Sequence, residues 1–455
     1  MKLTYDIKDR PKPISTIVFA FQQLLAIMAA TIAVPIITNG NAGLEGEDAM
    51  SIAAALFGAG IGTIVYVLFT KAKSPVFLGS SFAFLGSMAA AFAGAVSAQA
   101  GYVGLVIGAL LAGLVYVVIA LLVKVVGVDW LNKLMPPVVI GPTVAIIGLG
   151  LAGNAVGDLQ TSNVEGGLDL IAVLCGLVTL FVVTLCSTYG KKTPKLIPFI
   201  IGILAGYATA AIFTGIGYAA DIDALKIADF SKITALWADG VTLKTFISIP
   251  DFTFVHAISG IKDIDLPYIA TICVAYIPVS LVVFAEHVAD HKNISTIIER
   301  DLLADPGLHR TLLGDGVGSF AGAIFGGCPN TTYGESIACV AITGNASVIT
   351  ILTTACLAIL ISFFTPVIAF LSSIPSCVMG GVCMALYGFI AVSGLKMLQP
   401  VDLNDNRNLF VASVILISGI GGLALNFGKV TITSVATALI LGIIVNRMLS
   451  GKKAK

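Results

Sequence analysis

Cys328-Pro329-Asn330-Thr331-Thr332-Tyr333-Gly334-Glu335-Ser336-Ile337-Ala338-Cys339-Val340-Ala341-Ile342-Thr343 is the stretch that decides how this chain folds. It lies between two long apolar runs, where a bilayer-embedded chain would hold one more featureless helix. Instead it opens on Pro-Asn-Thr-Thr, passes a glycine and sets down a glutamate. Only beyond Glu335 do Ile337, Val340, Ala341 and Ile342 recur at helical spacing. An ionisable group inside a membrane is costly, and marks a functional site by default. Non-helical backbone at that depth is tolerated only where protein or a water-filled cavity satisfies it. The reading is an extended segment feeding a half-helix, with Gly334 and Glu335 at its N-terminus. There, unpaired N–H groups and the positive end of the helix dipole face a binding cavity.

Composition sets the class around that stretch. The 455 residues are 57% hydrophobic and 11% charged, with a mean hydropathy of +1.01. A soluble core of that apolarity lacks the polar surface to cover it, so the chain is read as a polytopic membrane protein. The 25 basic and 25 acidic residues cancel, and no basic field points to nucleic acid. All eight cysteines fall in apolar runs without CxxC spacing and read as small buried hydrophobes. The first apolar run is too long for a cleavable signal peptide.

Apolar runs stand at 16–37, 51–70, 74–93, 101–123, 136–153, 167–186, 195–217, 267–289, 312–328, 330–344, 346–371, 377–395, 408–425 and 429–448, which makes 14 candidate spans. With both termini in the cytosol, Lys226, Lys232, Lys244, Lys262 and Lys429 are the only basic residues left outside. That asymmetry supports the layout. Fourteen spans split seven and seven, and an odd number inverts the second half relative to the first. Span 3 then corresponds to span 10. It reads Phe77-Leu78-Gly79-Ser80-Ser81-Phe82-Ala83-Phe84-Leu85-Gly86-Ser87, another polar, glycine-bearing start to an apolar run. Taken alone, span 3 reads equally as small-residue helix packing. The matched pair points to a midplane site. The expected fold is an all-α polytopic membrane protein, with short extended segments in spans 3 and 10.

Glu286 and Glu335 are the two acids read as lying well inside apolar runs. Asp290 follows Glu286 by four residues and shares its helix face. Glu286 either ends its helix near the membrane surface or converges with Glu335 on one cavity. His287 lies off that face, and His291 near the cytosol; both are read as solvated. Gln22 and Gln23 either line the cavity or bond a neighbouring helix. The loop at 218–265 is acidic, with a surface element around Phe230–Trp237, and residues 292–313 suggest an amphipathic cytosolic helix ended by Pro306-Gly307. No Walker loop, HExxH or Ser/His/Asp grouping is present, so no enzyme chemistry, metal or cofactor is expected.

Pro329-Asn330-Thr331-Thr332-Tyr333-Gly334-Glu335, continuing to Thr343-Gly344, resembles the signature of the nucleobase/ascorbate transporter family (nucleobase:cation symporter-2), in its bacterial uracil permease branch. Leu78–Phe84, Ala285-Glu286-His287-Val288, Asp305–Arg310, Met379–Val382 and Tyr387-Gly388 match in the same order, so the likeness covers nearly the whole chain. The resemblance implies a core of spans 1–4 and 8–11 (16–125 and 267–375). It implies a gate of spans 5–7 and 12–14 (126–217 and 376–450), an extracytoplasmic loop at 218–266, and cytosolic ends at 1–15 and 451–455. It implies proton-coupled uracil import across the cytoplasmic membrane by alternating access, with lipid as surroundings and a homodimer left open. Carried over position by position, Glu286 and Glu335 bind substrate, the backbone at Phe82 and Gly334 meets carbonyl oxygens, and Tyr333 and Tyr387 line the pocket. Proton coupling is assigned to Glu286, Asp290 and Glu335.

Two positions depart from the branch. Asp290 stands where uracil permeases often carry His and purine members often carry Asp, and Gln22-Gln23 stands where Gln-His is common. A xanthine or uric acid symporter of the same fold is therefore the alternative. An anion exchanger or channel is a third reading: a channel would not need a pair of buried acids, and an exchanger would call for a basic group near the site, of which none is found in the spans.

Overall fold

The computed structural model describes residues 3–127, 135–161, 169–191, 193–238, 240–427 and 430–450. Lys429 and the tail 451–455, both used in the layout above, lie outside the described residues. The first half carries α1 (Pro13–Ala42), α2 (Ile52–Phe69), α3 (Leu85–Ala93), α4 (Ala98–Val126), α5 (Pro137–Gly150), α6 (Ala152–Leu159), α7 (Leu170–Tyr189) and α8 (Pro198–Ala220). After α9 (Thr253–Gly260), the second half carries α10 (Leu266–Ile298), α11 (Leu308–Gly326), α12 (Gly334–Thr343) and α13 (Val348–Ser362). It ends with α14 (Thr365–Ser372), α15 (Ser376–Lys396), α16 (Asn406–Ile420) and α17 (Ser434–Ser450). Among the described residues, eight helical stretches are long and apolar enough to cross a membrane. The molecule is a multi-pass helical membrane protein.

Helix ends follow local chemistry. Asp265 accepts from the Tyr268 N–H, Pro267 sits in the first turn of α10, and Ser97 caps α4 through the Ala100 N–H. Gly43 and Gly344 close α1 and α12 in the left-handed conformation, with φ of 63° and 67°. The helices pack in two groups. One joins α1–α4 to α10–α13; the other joins α5–α8 to α15–α17.

Small residues bring the first group together. Gly58 and Gly62 on α2 face Gly318, Gly322 and Gly326 on α11, and a Cβ on Gly322 would run into Gly58 and Asn330. Gly113 on α4 meets Gly316 on α11, where a Cβ would stand 2.7 Å from the Gly316 carbonyl. Close backbone approach of this kind is how helices pack where lipid removes the hydrophobic drive between them. In the second group Gly148 on α5 lies against the backbone of Tyr387 and Ala391 on α15.

Two short antiparallel pairs interrupt the helices. β1 (Leu78–Ser80) pairs with β2 (Asn330–Thr332) in the register Leu78↔Thr332, Gly79↔Thr331, Ser80↔Asn330. β3 (Leu425–Phe427) pairs with β4 (Val430–Ile432) between α16 and α17. Residues 4–7 run beside 344–348, with Ala346 N–H donating to the Tyr5 carbonyl at 2.9 Å and Val348 N–H to that of Ile7 at 3.1 Å. Asp6 pairs with Arg300 beyond the end of α10.

Several sequence expectations need correction. The separate amphipathic helix over 292–313 is absent: α10 runs on to Ile298, because His291, Ile294 and Ile298 recur on one face and are buried. Asp305-Pro306-Gly307 is instead the join to α11, with Gly307 at φ 96°. Span 11 divides at Phe363-Phe364, where Thr365-Pro366 starts a new helix. Span 13 stops at Ile420 and gives way to the β3–β4 hairpin. Of the cysteines, Cys356 is exposed and Cys186 and Cys273 are half-buried; the other five are buried.

Gly322→Ala, which overpacks the α2–α11 crossing, should cost about 1–3 kcal/mol and lower the melting temperature of the detergent-solubilised protein by several degrees. Gly215→Ala on α8, with nothing within 4 Å of a new Cβ, should leave it unchanged. Equal melting of both variants would contradict the close crossing.

Candidate functional site

The β1–β2 pair is built to keep two chain segments extended. Pro329 has no N–H to satisfy, and its carbonyl accepts from Ser81 N–H at 2.9 Å. Asn330 donates from Nδ2 to the Gly58 carbonyl at 3.0 Å, and Tyr333 donates from its hydroxyl to the Ser80 carbonyl at 2.8 Å. Leu78 N–H donates to Thr63 Oγ1 at 2.9 Å. With these groups paired, each strand can hand over to a helix. Phe82–Phe84 makes a 3₁₀ turn into α3, and α12 starts at Gly334. Neither start carries a side-chain cap. The first-turn N–H groups of α12 are therefore available to a ligand, backed by the dipole.

Beside these starts lies a cavity of about 440 Å³. Phe82, Glu286, Asp290, Tyr333, Gly334 and Glu335 stand on its wall, so the structure brings these sequence-chosen residues together. Val144, Ile147, Phe199 and Phe389 from the second helix group form the opposite, apolar side. Gly334 is exposed to the cavity, and a Cβ there would meet nothing within 4 Å. Glu286, Asp290 and Glu335 are half-buried. Asp290 is held in place by Thr332, which donates from Oγ1 to Oδ2 at 2.7 Å. Three carboxylates in one cavity of low polarity resist being ionised together.

Other residues take different places. Tyr387 was expected on the pocket wall but is buried behind it, edge-on to Phe82 with ring centroids 5.9 Å apart. Its helix turns Leu386, Phe389, Ile390 and Ser393 to the cavity instead. Gln23 bonds a neighbouring helix, donating from Nε2 to Ser336 Oγ at 2.7 Å, and Ser336 Oγ also accepts from Phe77 N–H. One side chain thus ties α1 to the start of α12 and the approach to β1.

His287 and His291 are not solvated. Both are buried, His287 against Asp315 and Thr311, and His291 against Tyr66. They pack inward because this side of α10 lies against protein, whereas Glu286 and Asp290 take the cavity side. Asp315, fully buried on α11, is an intramembrane acid the sequence reading passed over. Its signal was its setting in Gly314-Asp315-Gly316-Val317-Gly318, an acid inside a glycine stripe. Lys195, on the short helix Thr193–Leu196, also lines the cavity. It is the basic group that the spans seemed to lack.

Residues 14–427 match the model of a family described as the Permease family. The uracil permease of Bacillus caldolyticus is 38% identical over 456 residues, covering 99% of this chain and 96% of its own. That of Bacillus subtilis (strain 168) is 36% identical with the same coverage, 99% and 96%. The uracil permease of Escherichia coli (strain K12) is 35% identical over 96% of this chain and 92% of its own. Among solved structures, the transmembrane domain of the cyanobacterial bicarbonate transporter BicA superposes with a TM-score of 0.61 at 15% identity, covering 97% of this chain and 99% of that one. The murine Slc26a9 anion transporter in its inward-facing state gives 0.66 at 10% identity, covering 97% and 69%. At those identities the likeness is one of fold. The curated relatives are permeases rather than enzymes.

On a background with the eight native cysteines replaced by serine, Ala338→Cys, which faces the cavity, should react with a small polar maleimide. Ile337→Cys, buried on the other side of α12, should react at least about tenfold more slowly, because only the exposed thiolate is attacked. Equal rates would mean that α12 does not turn this face to water.

Proposed function

This chain belongs to the nucleobase/ascorbate transporter family, and from that premise we propose that it imports uracil in symport with protons. One observation carries the reading: Glu286, Asp290 and Glu335 share a cavity with the uncapped start of α12 at Gly334 and with the ring of Phe82. Uracil is a flat cyclic imide with two N–H donors and two carbonyl acceptors. Carboxylates accept from the former, helix-start N–H groups donate to the latter, and an aromatic ring covers the plane. Acids that resist joint ionisation supply the proton site, so Glu286, Asp290 and Glu335 couple substrate to protons.

In this reading the helices form 14 spans in a 7+7 inverted repeat, with β1–α3 and β2–α12 as corresponding broken segments. Spans 1–4 and 8–11 (16–125 and 267–375) are the core that holds substrate. Spans 5–7 and 12–14 (126–217 and 376–450) are the gate against which the core moves. The loop at 218–266 is extracytoplasmic, both termini are cytosolic, and the host bilayer is the cytoplasmic membrane. A homodimer is the assembly to look for by mass in lipid discs.

Asp290 favours a second substrate, a purine such as xanthine, because it adds an acceptor one turn from Glu286 in a cavity roomy enough for two fused rings. An anion exchanger fits poorly: among the described residues, three carboxylates face the cavity against the one ammonium of Lys195.

In proteoliposomes, uracil should accumulate when the outside is acidic relative to the lumen, and a protonophore should abolish the gain. Excess unlabelled xanthine should compete weakly; strong competition with weak uracil uptake would transfer the assignment to purines. Glu335→Gln removes a charged acceptor worth roughly 1.5–3 kcal/mol, so uptake should fall about 10- to 100-fold and lose its pH dependence. Full uptake with an unchanged pH profile would remove Glu335 from the site.

Gly334→Val fills the space a ligand needs and should abolish uptake while the protein stays in the membrane; Phe82→Tyr should be milder. The reverse order would separate β1–α3 from the site. Asp290→Asn keeps an acceptor for Thr332 but not the charge. Substrate binding should survive while gradient-driven accumulation falls. Superimposed curves for wild type and variant across a pH series would make Asp290 a bystander.

A further inference from the structure

Behind the cavity face of α10 lies a polar cluster that the transport reading leaves unused. His287 and Asp315 are fully buried, with Nδ1 and Oδ2 2.6 Å apart. His287 Nε2 lies 3.0 Å from Thr311 Oγ1, and that hydroxyl donates to the Leu308 carbonyl at 3.0 Å. A hydroxyl has one proton, so His287 must donate from Nε2 to Thr311. The proton between Nδ1 and Oδ2 is then counted by elimination. Either Asp315 carries it and donates to a neutral imidazole, or an imidazolium donates to a carboxylate. In both forms the pair is neutral and holds one proton.

The surroundings keep it so. Asp315 Oδ1 has no partner among the described residues, and neither does the hydroxyl of Tyr116, whose ring stands edge-on to His287 at 6.2 Å. Removing the proton would strand an anion with an oxygen unserved; adding a second would bury a net cation. On the other side, His291 stacks on His287 at 4.0 Å between centroids. It donates from Nδ1 to the His287 carbonyl at 2.8 Å and meets the Tyr66 hydroxyl at 2.7 Å through Nε2. Tyr66 in turn lies 2.7 Å from Ser74 Oγ. The titratable groups facing the pair are Tyr116 from α4, Tyr66 from α2, and His291, Glu286 and Asp290 from α10 itself.

We propose that His287 and Asp315 are a positioning pair, permanently holding one proton, that fixes the roll of α10 so that Glu286 and Asp290 face the cavity. His287 is adjacent to Glu286 on the helix, so a contact that pins one side chain inward to α11 dictates where the other points. The pair does not carry the transported proton; that falls to the cavity carboxylates alone. The inference rests on the uracil reading only for its binding assay.

The experiment combines uracil binding with ligand-free labelling of Ala289→Cys, a cavity-wall position on α10, on the cysteine-free background. Asp315→Ala and His287→Ala should each weaken uracil binding about tenfold or more and change the labelling rate of Ala289→Cys several-fold. The double variant should be no worse than the worse single one, since both remove the same contact. Asp315→Asn, whose amide can donate to a bare Nδ1, should restore affinity to within about threefold, with wild-type labelling and an unmoved pH profile of binding. A flattened pH profile in Asp315→Asn would overturn the proposal, because the pair would then titrate with substrate. Additive losses, or wild-type labelling in folded alanine variants, would overturn it too. Where the alanine variants do not fold, Asp315→Asn decides alone. A wild-type chain that binds no uracil would refute the substrate while the labelling rates still test the pair.

Discussion

Backbone hydrogen bonding between Leu78–Ser80 and Asn330–Thr332 is the constraint from which the site follows. A helix that begins inside a membrane protein leaves its first N–H groups open, and the chain leading to it needs partners of its own. Here the two leading segments are each other's partners, so their backbone groups pair across the strands while the helix starts remain free. The neighbours are shaped to the same end. Glycines thin α2 and α11 where they flank the pair, and the Asn330 side chain reaches the Gly58 carbonyl in the space they leave. Replacing that asparagine with an apolar residue would remove the bond that ties β2 to α2.

α10 shows how one helix can serve two polar environments without mixing them. Its cavity side presents Glu286 and Asp290 to a space that ligand and water can enter. Its inner side presents His287 and His291 to a closed network in which nearly every donor is accounted for. Charge can change on the first side because solvent or substrate can compensate it. On the second, any change would be borne by protein atoms alone.

What is legible in the sequence is what each segment says about itself. Hydropathy announces the membrane class, and the polar interruption before Glu335, with the order of the matching motifs, announces the family. Glu286, Gly334 and Glu335 can be picked out because each is odd for its own run, and Asp290 because it shares a helix face with Glu286, whereas Phe82 and Tyr333 are marked only by the resemblance to the family. What is not legible depends on a distant partner. His287 reads as solvated until Asp315 is seen opposite it on another helix. Tyr387 reads as pocket-lining until the roll of α15 turns Leu386 and Phe389 to the cavity instead. Lys195 belongs to the cavity only because a short helix bends the chain back before α8. The end of α10 is hidden in the sequence, because falling hydropathy masks an amphipathic continuation to Ile298.

The β1–β2 pair also sets an order of assembly. Tyr333 and Ser80 are bonded across 253 positions of sequence, so β1 leaves the ribosome long before its partner exists. Until then the first half must hold a strand with open backbone edges, either in lipid, where that is costly, or in a provisional arrangement. Such long-range pairing makes folding slow and late. The binding site is thus among the last features to mature, and its completion can serve as a report that both halves of the chain have been inserted and joined.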